Sequence, residues 1–256
     1  FRSAIDPWMT PRRIRAIADA TNSLRPDLIL LAGDYEVGMK KWRWFEDVPM
    51  SACAEALSGL SAPLGIYAVL GNHDMWANGG ANVRAAFPAH GLPILENKAV
   101  RLAKGGRPFW LLGLGDQFAR HLGGGRYEGV HDLPGTLAQI GDDSPALLLA
   151  HEPDIFPQVP PRVSLTLCGH THGGQIRLPF YGPLVVPSRY GTRYAYGHIV
   201  ENGRHLIVSA GLGMSVMPVR FMAPPEIVTI RLTPAAWARA TAASCSAAVL
   251  QWSRWQ

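Results

Sequence analysis

The sequence predicts an α/β protein with mixed sheets, built as one large domain. In the first half of the chain, short apolar runs typical of buried strands alternate with segments of helical periodicity. Strand-like runs dominate the second half, which favours additional antiparallel pairing. The length of 256 residues, with 48% hydrophobic and 17% charged residues, suits a globular domain with a substantial core.

The first 70 residues contain two helix and strand pairs. Thr10 and Pro11 are typical of a helix N-cap and first helical position, and the helix is expected to continue to Leu24. A buried strand is predicted over 27–32 and a second helix over 50–60. The stretch "GIYAVLGNHD" then predicts a second strand that ends in polar residues.

The remaining elements follow the same reasoning. The glycine pair at 105–106 predicts a hairpin, and a short helix is expected over 132–140. The stretches "ALLLAHEPD", "VSLTLCGHTH", "HLIVSAG" and "EIVTIRL" each predict a strand. We assign residues 1–232 to the domain and treat the Ala-rich stretch 233–256 as a C-terminal tail, a loose helix without an assigned role.

Composition excludes several classes of protein. No apolar run reaches 18 residues, which argues against a transmembrane helix, and the first ten residues lack the pattern of a signal peptide. Three widely spaced cysteines without a CxxC pair predict neither a disulfide framework nor a cysteine zinc site. The net charge of +5 is compatible with an anionic substrate, an acidic membrane surface or nucleic acid, and decides among none of them.

Four of the predicted strands end in clusters of polar residues. Each cluster alone is ordinary, because Asp after Gly is often a helix cap and Asn-His is often a turn. Together they offer carboxylate, amide and imidazole groups at strand ends, and these are ligands for Mn, Fe or Zn. The joint pattern therefore predicts a metal site. The clusters are Gly33-Asp34, Gly71-Asn72-His73-Asp74, His151-Glu152-Pro153-Asp154 and Gly169-His170-Thr171-His172.

The blocks "GD", "GNHD", "H" and "GHTH", in this order, resemble four of the five signature blocks of the calcineurin-like metallophosphoesterase family. The resemblance spans residues 27–232 and implies a four-layer α-β-β-α sandwich of two mixed sheets with two divalent metal ions at the strand ends. The stretches 169–191 and 211–232 look like a bacterial phosphodiesterase branch whose members are often membrane-associated or exported.

The resemblance also implies a role for each site residue. Asp34 would bridge both metals, with Asn72, His151 and His170 completing one site and His172 belonging to the other. A carboxylate can hold two cations about 3.5–4 Å apart. If "HTH" is extended, both imidazoles point to one side of the strand, and Gly173 and Gly174 would permit close packing beside the ions. His73 would face the substrate, stabilising the phosphoryl charge or protonating the leaving alkoxide, with Asp74 orienting its ring.

The chain departs from the family pattern at one block. An Asp-x-His is expected at the end of a first strand before the helix at Thr10, and no histidine precedes His73. We interpret this as a sequence that starts a few residues late. As given, the second metal would keep only Asp34 and His172, so its binding is expected to be weak.

The substrate is less well defined by the sequence. Arg177, Arg189 and Arg193, together with Arg220, are candidates to bind an anionic group, or are solvated surface residues. Apolar residues of the same loops would line a lipid or nucleoside pocket or belong to the core; they are Phe180, Tyr181, Tyr190, Tyr194, Met214, Met217 and Phe221. His121 and His131 are expected to be dispensable.

The leading hypothesis is a metal-dependent phosphoesterase, a phosphodiesterase or pyrophosphatase in which metal-activated hydroxide attacks phosphorus in line. A lipid-linked or nucleotide-sugar substrate and peripheral membrane association are considered with it. A metal-binding but non-catalytic module of the same fold is the main alternative. A nuclease is the weakest, because the basic residues are dispersed rather than clustered with aromatics.

Overall fold

The computed structural model describes residues 9–36, 48–215, 219–232 and 251–255, the last five as backbone only. Two sheets pack face to face, and helices cover the outer face of each. The first sheet contains the parallel pair β1 (Ile29–Leu31) and β2 (Ile66–Ala68). Of the described helices, none combines the length and apolar character needed to span a bilayer.

The helices of the first half cover the outer face of the first sheet. They are α1 (Pro11–Ser23), α2 (Met50–Leu57), α3 (Asn72–Asn78) and α4 (Ala81–Ala89). The Thr10 side chain caps α1 by accepting from the backbone N–H of Arg13 at 3.3 Å. One core cluster, which includes Ile14, Leu57, Leu70 and Phe87, lies between these helices and the first sheet.

The second sheet has six strands. They are β3 (Lys98–Lys104), β4 (Arg107–Gly113), β7 (Ala146–Leu149), β8 (Val163–Cys168), β11 (Gly197–Glu201) and β12 (Arg204–Val208). Their order in the sheet is β11-β12-β8-β7-β4-β3. The central strands β4, β7, β8 and β12 run parallel, and β3 and β11 add antiparallel edges.

Apolar residues of both sheets meet in the middle layer. Leu111, Leu147, Leu165 and Ile207 of the six-stranded sheet pack with Val69, after β2, in one cluster. On the outer face of the six-stranded sheet, α5 (Leu133–Leu137) and the short 3₁₀ turn Pro153–Gln158 cover a third cluster. The order of helices, sheet, sheet and helices confirms the predicted four-layer α/β sandwich.

Three further two-stranded pairs complete the described structure. They are the hairpin β5 (Arg120–Gly123) and β6 (Arg126–Glu128), the hairpin β9 (Arg177–Leu178) and β10 (Gly182–Pro183), and the antiparallel pair β13 (Ile227–Arg231) and β14 (Gln251–Trp255). Five residues of the tail thus form a strand where a loose helix was expected. The rest of the tail lies outside the described residues.

Most predicted elements of the framework are present in the structure, with ends shifted by a few residues. The helices α3 and α4 were not predicted from the sequence. Asn-His in "GNHD" is typical of a turn, yet α3 begins there. Pro88 argues against a helix, but it lies in the last turn of α4, where it is tolerated. The two short hairpins and the edge strand β11 were not predicted either.

Candidate metal centre

The four polar clusters converge at one edge of the molecule. β1 and β2 are parallel neighbours, as are β7 and β8, so their carboxyl ends lie side by side in the two packed sheets. Close approach explains both glycines that introduce the first two clusters. A Cβ on Gly33 would come within 2.5 Å of the His151 ring, and one on Gly71 would collide with the Asp34 carboxylate.

Four side-chain atoms meet at the centre of this edge. The Nε2 atom of His151 lies 3.2 Å from Asp34 Oδ2, 3.2 Å from Asn72 Oδ1 and 3.2 Å from His170 Nδ1. Asp34, Asn72 and His151 are each at most 3% exposed. The metal-ligand atoms of Asp34, His151 and His170 all lie within 4.8 Å of one another.

The hydrogen bonding of His151 shows what this arrangement fits. Its Nδ1 lies 2.5 Å from the carbonyl oxygen of Ala32, so Nδ1 carries a proton and donates it. Nε2 then faces a carboxylate oxygen, an amide oxygen and a second imidazole nitrogen, a position that attracts either a proton or a cation. A cation satisfies all of them at once, and ligand separations of about 3.3 Å are those of a four-coordinate site with metal–nitrogen bonds of about 2.0–2.1 Å. Asp34, Asn72, His151 and His170 therefore fit a divalent metal.

The charges of the site also favour a bound metal ion. Burial alone would raise the pKa of Asp34, but His151 and His73 hold it well below its usual range. Burial opposes protonation of His151, yet the Asp34 carboxylate raises the pKa of this imidazole to about 9. Burial lowers the pKa of His170 and, with the Arg220 charge, that of His172 to about 3. The site thus has an ionised carboxylate, two imidazoles that favour the neutral form, those of His170 and His172, and at His151 a position that attracts a proton or a cation.

The backbone of the "HTH" segment differs from the expectation. β8 ends at Cys168, and His170 and His172 have positive φ angles of 67° and 52°, while Thr171 is helical. The segment is therefore not extended, and the expected alternation along a strand is wrong. His172 is not a member of the cluster formed around His151. Positive φ is also found at Asp34, at 63°, and such strain in residues other than glycine is common at functional sites.

Gly173 and Gly174 make contacts other than those expected. A Cβ on Gly173 would lie 2.9 Å from the Ala210 side chain, and one on Gly174 would collide with Pro183. Both glycines have positive φ. They let the turn after His172 pack against neighbouring loops, and the expected packing of these glycines beside the ions is not what the structure shows.

Arg220 fixes the loop around His172. Its guanidinium donates to the backbone carbonyls of Ala210 at 2.7 Å and Ala223 at 3.0 Å, and also to that of Gly213. It lies 3.4 Å from Nδ1 of His172, which is itself 3.3 Å from the Gly213 carbonyl. Arg220 is therefore not the anion-binding residue that the sequence suggested, because its donors bind backbone carbonyls.

The structure gives Asp74 a different task from the one expected. Its buried carboxylate accepts from four backbone N–H groups at 2.7–2.9 Å, and none of these bonds involves the His73 ring. The donors are Asp34, Tyr35, Glu36 and Gly71. Asp74 therefore joins the loop after β1 to the start of α3, so that Asp34 and Asn72 are held together. The expected orientation of the His73 ring by Asp74 is not observed.

His73 lies beside the cluster and not in it. Its backbone N–H donates to Asp34 Oδ1 at 3.0 Å, its side chain is buried, and its Nδ1 has no hydrogen-bond partner among the described residues. The ring packs against Trp76, with the centroids 5.3 Å apart. Burial lowers its pKa.

An aromatic wall formed by Trp76, Phe118 and Tyr127 borders the centre, and the sequence analysis did not identify it. Trp76 stacks on Tyr127 and donates through Nε1 to the Phe118 carbonyl at 2.8 Å, while Phe118 meets the His170 ring edge-on. One signal was available, because Trp76 follows His73 by three residues and shares its face of a helix. Phe118 and Tyr127 come from a loop and a hairpin that have no periodic pattern.

The three arginines proposed for substrate lie in different environments. Arg193 makes two hydrogen bonds of 2.8 Å to the Glu201 carboxylate, so its donors are engaged. Arg177 lies over the Tyr196 ring. Arg189 lies over Phe118, next to the site, and within the described part of the chain no carboxylate pairs with its guanidinium. His131 lies close enough to Arg189 for the arginine charge to act on its imidazole. His121 packs on Tyr127. Both histidines thus lie on the same side of the site as Arg189.

Comparison with known proteins agrees with this geometry. The calcineurin-like phosphoesterase family model matches residues 9–174, well over half of the chain. The chain is 34% identical to the metallophosphoesterase YkuE of Bacillus subtilis, over 89% of this chain and 75% of that protein. It is 32% identical to the phosphodiesterase YaeI of Escherichia coli, over 81% of this chain and 71% of that protein. A metallophosphoesterase of Aquifex aeolicus is 28% identical over 89% of this chain.

These matches confirm the resemblance found in the sequence motifs. The fold, the convergence of the strand-end clusters and the relatives agree on a hydrolase that acts on phosphoric ester bonds with metal ions. The chain belongs to the calcineurin-like phosphoesterase family.

Proposed function

We propose that this protein is a phosphodiesterase that uses Mn, Fe or Zn and acts on a diester or pyrophosphate with an apolar or aromatic group near the phosphorus. The observation that carries the proposal is the meeting of Asp34, Asn72 and His170 at the Nε2 atom of His151. The name of the relative YaeI, a phosphodiesterase, supports a diester substrate.

Asp34, Asn72, His151 and His170 would hold one metal ion, and Asp34 with His172 would contribute to a second. Bound there, the ions would neutralise phosphoryl charge and lower the pKa of a water that becomes the attacking hydroxide. The His151 proton on Nδ1 stays with the Ala32 carbonyl, which keeps Nε2 available as a ligand.

His73 would act on the substrate directly. Its backbone is fixed by the Asp34 carboxylate, and its ring is held against Trp76, so the imidazole is positioned without being a ligand. An N–H of the ring would donate to a phosphoryl oxygen or to the leaving oxygen. Either contact would strengthen as negative charge develops in the transition state.

The aromatic wall would contact the group attached to phosphorus. Two rings of the wall touch imidazoles of the site: Trp76 packs against His73, and Phe118 meets His170. Tyr127 packs against both of these aromatic rings. The Arg189 guanidinium, next to this wall, would pair with a second phosphate or another anionic group. A nucleotide-sugar or lipid-linked pyrophosphate has both features, an anionic group and a large apolar or stacking group.

Hydrolysis of two chromogenic substrates tests the proposal. Purified protein, stripped of metal and reloaded with Mn, Fe or Zn, should hydrolyse bis-p-nitrophenyl phosphate faster than p-nitrophenyl phosphate. His170→Ala is the matched control for contaminating phosphatases, because a true signal disappears with it. Preference for the monoester would contradict the diester assignment. Tight metal binding without any hydrolysis would favour the non-catalytic module instead.

The wall is tested separately with Trp76→Ala. This variant should raise KM for bis-p-nitrophenyl phosphate while the metal content stays unchanged. An unaltered KM would remove the aromatic wall from the substrate site.

A further inference from the structure

The hairpin of β9 and β10 presents apolar side chains to solvent. Phe180 is 106% exposed and Tyr181 is 86% exposed, and both stand at the tip of the hairpin. Large exposed apolar clusters are uncommon on soluble proteins and mark surfaces that bind a partner or a membrane. We call the following five exposed residues the apolar hairpin patch: Leu178, Phe180, Tyr181, Leu184 and Val185.

The chain keeps Phe180 outward at some conformational cost. Its φ angle of 67° is left-handed, which is uncommon for a bulky aromatic residue. The hairpin is short, with Gly182 opposite Leu178 and Pro183 opposite Arg177, so the tip cannot fold back onto the body of the protein. Phe180 and Tyr181, which the sequence suggested as pocket or core residues, therefore lie neither in a pocket nor in the core.

A second loop extends the patch. Phe221 and Met222 are 48% and 60% exposed. The Phe221 carbonyl accepts from the Arg177 N–H, and the Phe221 N–H donates to the Gln175 carbonyl, both at 2.9 Å. The two loops thus form one surface.

The two loops that form the patch contain no acidic residue. Residues 176–191 and 219–225 include Arg177 and Arg189, and neither Asp nor Glu occurs in them. An apolar tip in a region that is rich in arginine and poor in acid is complementary to an anionic lipid surface.

The patch lies close to the metal centre. Pro183, at the base of the hairpin, packs directly on Gly174, two residues after His172. Phe180 follows Gly174 by six residues, so at about 3.3 Å per residue the tip lies within about 20 Å of that turn. A surface bound by the tip would therefore be near the site.

We propose that the apolar hairpin patch inserts into the interfacial layer of an anionic lipid bilayer and holds the metal centre beside the lipid headgroups. Phe and Tyr side chains partition well into this layer, and the surrounding arginines would add electrostatic attraction. This membrane contact goes beyond the proposed function and does not depend on catalysis.

Sedimentation with vesicles tests the proposal. The full chain should bind vesicles of phosphatidylcholine mixed with phosphatidylglycerol more strongly than vesicles of phosphatidylcholine alone, and added salt should weaken this binding. The double variant Phe180→Ser, Tyr181→Ser should lower partitioning into mixed vesicles about tenfold. Leu24→Ser is the matched control, because Leu24 is an exposed apolar residue before β1, at the opposite end of the strands from the metal centre.

Several results would overturn the membrane proposal. Partitioning of the double variant equal to that of the wild type, or absence of wild-type binding to mixed vesicles, would do so. A wild-type dimer in light scattering that the double variant dissociates would assign the patch to a second copy of the chain. Metal content and melting temperature confirm that the variants are folded.

Activity on soluble bis-p-nitrophenyl phosphate separates this proposal from the proposed function. We expect the double variant to keep wild-type hydrolysis of this substrate. A wild type that is inert would contradict the proposed function, and the vesicle result would still decide the membrane contact.

Discussion

The carboxylate of Asp74 accepts a hydrogen bond of 2.9 Å from the backbone N–H of Asp34, 40 residues earlier in the chain. Three further N–H groups, those of Tyr35, Glu36 and Gly71, donate to the same carboxylate. Asp34 in turn accepts from the N–H of His73. The first two polar clusters thus position each other before any ligand is bound.

Asp74→Asn should destabilise the protein by about 1–3 kcal/mol, because the new amide NH₂ group faces backbone N–H groups in a buried site. Metal affinity should fall as well, since Asp34 and Asn72 lose their common anchor. Urea denaturation and metal titration measure the two effects. Asp143→Asn, at an exposed carboxylate, is the control and should change neither. Unchanged stability in Asp74→Asn would contradict the anchoring role.

His73→Ala should retain bound metal and lower kcat by about 10²–10⁴-fold, the usual range for a general acid or base. The reason is that the ring lies next to the ligand cluster without joining it. Elemental analysis and steady-state kinetics on one preparation give both values. Loss of metal in this variant would show that the imidazole is a ligand and that its assigned role is wrong.

Metal counting distinguishes the two histidines of the "HTH" segment. His170→Ala should abolish tight binding of one ion, an effect larger than the roughly 10–100-fold loss caused by removing a residue that only orients a ligand. His172→Ala should leave that ion in place, because His172 lies outside the cluster around His151. Mass spectrometry of the 256-residue chain after dialysis gives the stoichiometry. Equal losses in both variants would contradict two separate sites.

Arg220→Lys should cost about 1–3 kcal/mol of unfolding free energy, because one ammonium cannot replace a planar group that donates to several carbonyls at once. The loop around His172 should also become more sensitive to protease. Arg107→Lys, at the exposed turn of the β3–β4 hairpin, is the matched control. A variant as stable and as resistant as that control would show that the carbonyl contacts contribute little.

Glu201 should make the stability depend on acid pH. The hydrogen bonds from Arg193, supported by that from Tyr194, hold the pKa of Glu201 below its usual value. A lowered pKa in the folded state stabilises the protein above the ordinary carboxyl pKa, and this contribution is lost as the pH falls through the lowered value. Glu201→Gln should flatten that part of the curve of unfolding free energy against pH. Glu55→Gln, at an exposed residue, should retain it.

The strand ends could be predicted from sequence because each apolar run stops at a glycine or a charged residue, and parallel strands bring such ends together. For this reason the four polar clusters can be expected to meet at one site, and the family resemblance selects Asp34, Asn72, His151 and His170 from them. The conformation of the "HTH" segment could not be predicted. Positive φ in His170 and His172 is imposed by contacts distant in sequence, among them those of Arg220 and of Thr171 with the Ala195 carbonyl.

The aromatic wall was missed for a related reason. Trp76, Phe118 and Tyr127 come from a helix, a loop and a hairpin, and only the folded chain brings them together. Arg193 and Arg220 show the opposite error. Their sequence positions suggested anion binding, but the fold provides Glu201 and backbone carbonyls as nearer partners.

The metal centre takes its side chains from two different sheets. Asp34 and Asn72 follow strands of the first sheet, whereas His151 and His170 follow strands of the second, and the bond between His151 and Ala32 spans 119 residues of sequence. A bound cation would act as a cross-link between the two sheets, at the edge where their strands end. Removing it should therefore lower the melting temperature, because the metal binds the folded arrangement of both sheets and not the unfolded chain.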